Sequence, residues 1–124
     1  MLDRIDLHIE TPAVPFEKLE GEGDESSEEI RARVASARAW QEARFKGLAI
    51  RTNAEMGLRE IKQFIPVTKS LHPVLKLAHE RHRLSARAYH RVLKIARTVA
   101  DLAGAKELEG DHLLEALQYR PKLM

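Results

Sequence analysis

The sequence contains no cysteine. That excludes a disulfide scaffold, a thiolate zinc site and cysteine catalysis. It also contains no apolar run near the roughly 18 residues that a membrane-spanning helix requires. No apolar stretch follows Met1, so a secretory leader is not expected and a cytoplasmic protein is. The phosphate cradle Gly-x-x-x-x-Gly-Lys-Ser/Thr and the dinucleotide glycine fingerprint are both missing. His79 and His82 stand three apart around Glu80. The zinc-protease pattern needs a four-residue step with the glutamate directly after the first histidine, so no metal site is expected. Asp111 and His112, at the head of the last helical pattern, read as capping groups rather than catalytic ones. With no catalytic motif, this stretch of chain is not expected to be an enzyme by itself.

What is present is one domain's worth of chain: 124 residues, 44% hydrophobic and 32% charged. The net charge of +2 hides a division. Residues 1–29 hold two basic and ten acidic residues; residues 30–124 hold nineteen basic and nine acidic. An acidic arm at −8 therefore precedes a basic body at +10. A basic body points to nucleic-acid or phosphate partners, or to solvated helix faces.

Ile5, Leu7 and Ile9 alternate with Asp6, His8 and Glu10, the period of a half-buried strand. A single strand has no ladder partner, so either it pairs between chains or its sheet lies outside this sequence. Residues 11–26 have the composition of a linker, with Pro12, Pro15, Gly21 and Gly23 among acids. Five helical patterns follow. The first spans 27–46, starts at Ser26 or Ser27, turns Ile30, Val34, Ala37 and Trp40 or Gln41 inward, and ends at Gly47. Residues 48–56 read as a loop. A short helix over 57–65 carries Leu58, Ile61, Phe64 and Ile65, and Pro66 stops it. A third spans 69–83 with Pro73 in its first turn. The fourth, 86–103, has Ser85 as N-cap and a continuous face of Ala88, Val92, Ile95, Ala96, Val99 and Leu102. Its other face shows Arg87, His90, Arg91, Lys94 and Arg97, of which the last two read as solvated or subunit-facing. The fifth, 110–119, buries Leu113, Leu114 and Leu117. Tyr89 and Tyr119 are expected in the core or at its rim, and Trp40 as a core anchor. The fold class is all-α: a small helical bundle over 27–124, preceded by an extended segment and acidic linker over 1–26.

Three stretches together carry a family resemblance. They are Leu2-Asp3-Arg4-Ile5-Asp6-Leu7-His8-Ile9-Glu10, the helix from Leu84-Ser85-Ala86-Arg87 through Asp101-Leu102-Ala103-Gly104, and Glu115-Ala116-Leu117-Gln118-Tyr119-Arg120. Their order and spacing, with the Ile30-Arg31-x-Arg33-Val34 start of the first helix, resemble the C-terminal region of the magnesium-chelatase-like AAA+ ATPases, the YifB/ComM family. The resemblance implies a fragment that begins at the last strand of an upstream AAA+ core and continues into the helical lid. It implies a hexameric ring of neighbouring subunits, ATP and Mg²⁺ bound by the full-length protein, and DNA as the partner of a branch-migration helicase in natural transformation. Insertion of magnesium into porphyrin is not implied.

The resemblance also implies roles for arginines. Arg4, in Leu-Asp-Arg-Ile-Asp, matches an arginine finger acting in trans on a neighbour's ATP, where a fixed guanidinium stabilises charge on the transferring phosphoryl group. Arg87, in Ser-Ala-Arg-Ala, matches the sensor-2 arginine, and its first-turn position favours an anion. Arg91, one turn further, is the competing sensor. Two alternatives stay open. One is a free-standing basic helical module that binds nucleic acid, motivated by the +10 body and the Arg87-to-Arg97 stripe. The other is part of a true magnesium chelatase ATPase subunit.

Overall fold

A computed structural model describes residues 7–9 and 26–119. The described residues form five α-helices: α1 (Ser27–Arg44), α2 (Leu58–Phe64), α3 (His72–His82), α4 (Ala86–Leu102) and α5 (Gly110–Gln118), with a 3₁₀ turn over Asn53–Glu55 between α1 and α2. No strand occurs among them. The acidic linker, Arg4 and most of the N-terminal segment lie outside the described residues.

Local chemistry accounts for the helix ends. The Ser26 hydroxyl accepts from the Glu29 N–H at 3.1 Å, and Glu28 and Glu29 lie at the positive end of α1. Gly47 follows this helix at φ +87, a conformation closed to most side chains. Pro73 occupies the second position of α3, where no helical donor is lost. That is why α3 starts at His72 rather than at 69. Arg83, in the left-handed conformation at φ +48, closes it. The Ser85 hydroxyl caps α4 through the Ala88 N–H at 3.1 Å, and Gly104 turns the chain away at φ +71. At the head of α5, the Glu109 N–H donates to His112 Nδ1 at 3.0 Å, the capping role expected of His112.

α4 is the centre of the bundle, in contact with α1, α2, α5 and the 3₁₀ turn, while α3 lies against α5. Val92, Leu93 and Ala96 of α4 pack with Leu71 and Leu75, with Leu113 and Ala116, and with Phe45, Met56, Ile61 and Ile65. Phe45 meets Phe64 edge to face, ring centroids 5.2 Å apart. Each fully buried Val, Leu, Ile, Met or Phe side chain among them contributes about 1.5–3 kcal/mol relative to exposure.

The inward face of α1 departs from expectation. Every residue from 27 to 36 is exposed, Ile30 and Val34 included, and Trp40 is 41% exposed rather than a core anchor. Gln41 takes the inward position, and with Ala37 it is the buried part of this helix. The reason is that α1 meets the bundle only along its C-terminal half. Leu58 and Leu114 are also exposed. In α5 the step from Leu113 to Ala116 sets the inward line, and Leu114 falls outside it. Residues 7–9 form no ladder: the His8 N–H donates instead to the Tyr119 carbonyl at the end of α5, at 2.7 Å.

Candidate functional site

Two of the three arginines singled out in the sequence fall on α4. Arg87 is its second residue, exposed, directly after the Ser85 cap. Arg91 lies one turn on and is half-buried. A step of four residues places both on one face. Lys94 continues that face, and its Nζ donates to the Ala54 carbonyl of the 3₁₀ turn at 3.1 Å. Arg4 lies outside the described residues, so its distance from this face is not part of the geometry.

The face runs into a cleft of about 310 Å³. Ile95, Val99 and Leu102 of α4 line it together with Leu7, Ile9 and Tyr119, the residue that follows α5. Arg91, Lys94 and Glu115 are the charged side chains in its lining. The Tyr119 hydroxyl donates to Glu115 Oε2 at 3.0 Å. Partial burial and that bond to a carboxylate push the Tyr119 hydroxyl above its ordinary value. An apolar lining with a few charged and polar groups has the ingredients of a binding cleft.

Beside it lies a polar cluster that sequence reasoning missed. Asp101 is 2% exposed. Arg44 grips it with two bonds, Nη2 to Oδ1 at 2.7 Å and Nη1 to Oδ2 at 2.9 Å. Arg97 Nη2 donates to Oδ1 at 3.1 Å, and Asn53 Nδ2 to Oδ2 at 2.8 Å. The Asn53 N–H donates to Gln41 Oε1 at 2.9 Å, which ties α1 to the 3₁₀ turn. Burial pushes the Asp101 carboxyl up, but the bonds from Arg44 and Asn53 and the charges of Arg44 and Arg97 outweigh it, holding the group below the usual carboxylate range. Burial moves Arg97 the other way, lowering it against the pull of Asp101; a guanidinium stays charged even so. Arg97 is thus not a solvated residue: it is 5% exposed and also donates to the Ala105 carbonyl at 2.9 Å. The signal was the four-residue step from Arg97 to Asp101, a charge pair on an otherwise inward-facing line.

Among the described residues, no group of three or more metal-ligating side chains is gathered together, and no helix is long and apolar enough to cross a membrane. The family described as magnesium chelatase, subunit ChlI C-terminal, matches residues 24–120. The chain belongs to this family. Its similarity to the competence protein ComM of Haemophilus influenzae is 40% identity over 121 residues, 96% of this chain and 23% of that protein. The uncharacterized protein YifB of Escherichia coli is 37% identical over 122 residues, 96% of this chain and 23% of its own length. An uncharacterized protein of Mycobacterium tuberculosis is 34% identical over 121 residues, 97% of this chain and 24% of its own length. The chain therefore spans about a quarter of the length of these curated relatives and corresponds to the magnesium chelatase C-terminal domain of ComM/YifB-like proteins.

Proposed function

We propose that this domain is the lid and subunit-contact module of a hexameric magnesium-chelatase-like AAA+ ATPase, a DNA-dependent motor in its full-length form. The observation that carries the reading is the family match over 24–120 together with the place of Arg87. An exposed guanidinium in the first turn of a capped helix stands where the dipole and backbone N–H groups already favour an anion. ATP is the ligand that suits it: Arg87 would meet the terminal phosphate and Arg91 would support it from one turn below. Mg²⁺ would be held by the upstream core that the family resemblance implies. When bound, the nucleotide supplies the phosphoryl group whose transfer drives the motor. The contribution of α4 is to bring one positive charge to that group as the lid closes. Arg4 would act in trans, from one subunit onto the next. DNA as substrate is part of this reading because the family resemblance of the sequence implies it.

The test is ATP turnover by the full-length protein. Arg87→Ala is expected to lower kcat by 10³-fold or more, the scale of losing an arginine at a transferring phosphate. Wild-type turnover in that variant would remove Arg87 from the site, and loss in Arg91→Ala instead would move the role one turn along.

A further inference from the structure

The line of residues that seats α1 on the bundle continues past the bundle's edge. Ile30, Val34, Ala37 and Gln41 follow at steps of four, three and four residues, a single stripe along the helix. Ala37 and Gln41 are buried, whereas Ile30 and Val34 are 42% and 39% exposed. Every residue from 27 to 36 is exposed, about 15 Å of helix at 1.5 Å rise per residue. A helical stretch that short is marginal in water unless something packs against it. The borders of the stripe are positive. Arg31 and Arg38, two turns apart, flank one side; Arg33 and Trp40, also two turns apart, flank the other. From Ile30 to Gln41 there is no acidic residue.

We propose that this free half of α1 docks an acidic amphipathic helix of a partner protein. The partner's apolar residues would lie on Ile30 and Val34, and its carboxylates beside Arg31 and Arg38. Charge and pattern decide among the occupants. A second copy of α1 would set arginine against arginine: Arg31 and Arg38 would face their own counterparts in an antiparallel pair, and Arg33 in a parallel one. Like charges so placed work against association. The acidic arm of this chain carries the charge without a continuous stripe, because Pro15, Gly21 and Gly23 interrupt the helical spacing around Val14, Phe16 and Leu19. An anionic lipid surface calls for a broad apolar face, and here a single line of side chains is apolar. The proposal does not rest on the lid assignment, and its test contains no nucleotide.

The experiment is a titration of the 124-residue chain with a synthetic peptide of about 18 residues, the length of α1. The peptide has leucine at helical i, i+3, i+4 and i+7 spacing, glutamate on both borders and no aromatic residue. Trp40 reports binding directly, since it is the one tryptophan of the chain and 41% exposed. Its emission is expected to shift to the blue, saturably, and less at high salt. Ile30→Gln with Val34→Gln is expected to weaken binding about tenfold, the scale of losing two interface anchors. Both side chains are exposed and glutamine is a good helix former, so this variant is expected to keep its circular dichroism spectrum and melting point. Arg31→Gln with Arg38→Gln is expected to weaken binding several-fold at low salt and to remove most of the salt dependence. A scrambled peptide of the same composition, and one with lysine in place of glutamate, are expected not to bind. No shift with the acidic helix would overturn the proposal. So would equal binding by the scrambled or the lysine peptide, or wild-type affinity in the Ile30 and Val34 variant. Dimers of the free chain that vanish in that variant would give the face to a second copy. Affinity raised by Glu17→Gln, Glu20→Gln and Glu22→Gln together would give it to the chain's own acidic arm. Either result also overturns the proposal.

Discussion

Asp101 shows how much one residue can organise. A carboxylate 2% exposed serves three donors on two helices and a turn, and its removal would leave Arg44 and Arg97 facing each other without an anion. Breaking a buried pair by deleting one partner costs about 3–5 kcal/mol, a large share of the 5–15 kcal/mol that holds a typical domain. Asp101→Ala is expected to shift the urea midpoint strongly downward. Replacing Arg44, Arg97 and Asp101 together by apolar residues of similar volume is expected to restore most of that loss, because the desolvation cost disappears with the charges. The same residue sets a pH dependence. Its folded-state value lies below its unfolded one, so the unfolded chain binds more protons as pH falls. The stability it supplies is complete above about pH 4, the ordinary aspartate range, and is lost as pH drops through the folded value. Acid titration of stability is expected to show a shallower decline in Asp101→Asn than in wild type over that window.

The helices differ in how plainly their residues announce them. α4 was legible in its limits and in part of its inward line: the Ser85 cap, Val92 and Ala96 and the Gly104 exit all act locally, whereas the burial of Leu93, Arg97, Ala100 and Asp101 was not patterned in the expected face. Ser85→Ala is expected to cost about 1 kcal/mol and to lower the melting temperature by a few degrees, measured by circular dichroism. Trp40→Ala, on an exposed flank, is expected to stay within about 0.5 kcal/mol of wild type, the reverse of what a core tryptophan would show. α1 was legible in its limits but not in its facing. Its alanines and arginines give a weak stripe, and which half of a helix meets the bundle is a tertiary fact that periodicity does not contain. The candidate site divided in the same way. Arg87 and Arg91 sit on one face because four-residue spacing guarantees it, whereas the cleft beside them needed α4, the end of α5 and residues 7–9 to be brought together in space. The burial of Arg97 ran against its type, since arginine is almost never fully buried unless paired, and its partner Asp101 was the clue.

At the scale of the whole molecule, the division of charge and the quarter-length match both direct attention beyond one copy of the bundle. In the proposed ring, each contact is heterologous: the surface that holds a nucleotide on one subunit meets a different surface of the next. A guanidinium supplied across that contact and a phosphate-binding loop supplied from within the subunit would then fail independently. On the proposed reading, Arg4→Ala is expected to abolish the ATP turnover of the full-length protein, as is substitution of a phosphate-loop lysine in the upstream core that this reading implies. If Arg4 acts in trans, rings assembled from an equal mixture of the two inactive proteins contain some contacts in which the intact loop faces an intact arginine. Random assembly makes these about a quarter of all contacts, so turnover is expected to reappear at up to about that fraction of wild type. If Arg4 acts within its own subunit, every contact in the mixture keeps one defect and no turnover returns. Measured phosphate release from the mixed rings therefore separates a finger that reaches across the ring from a residue that merely supports its own fold.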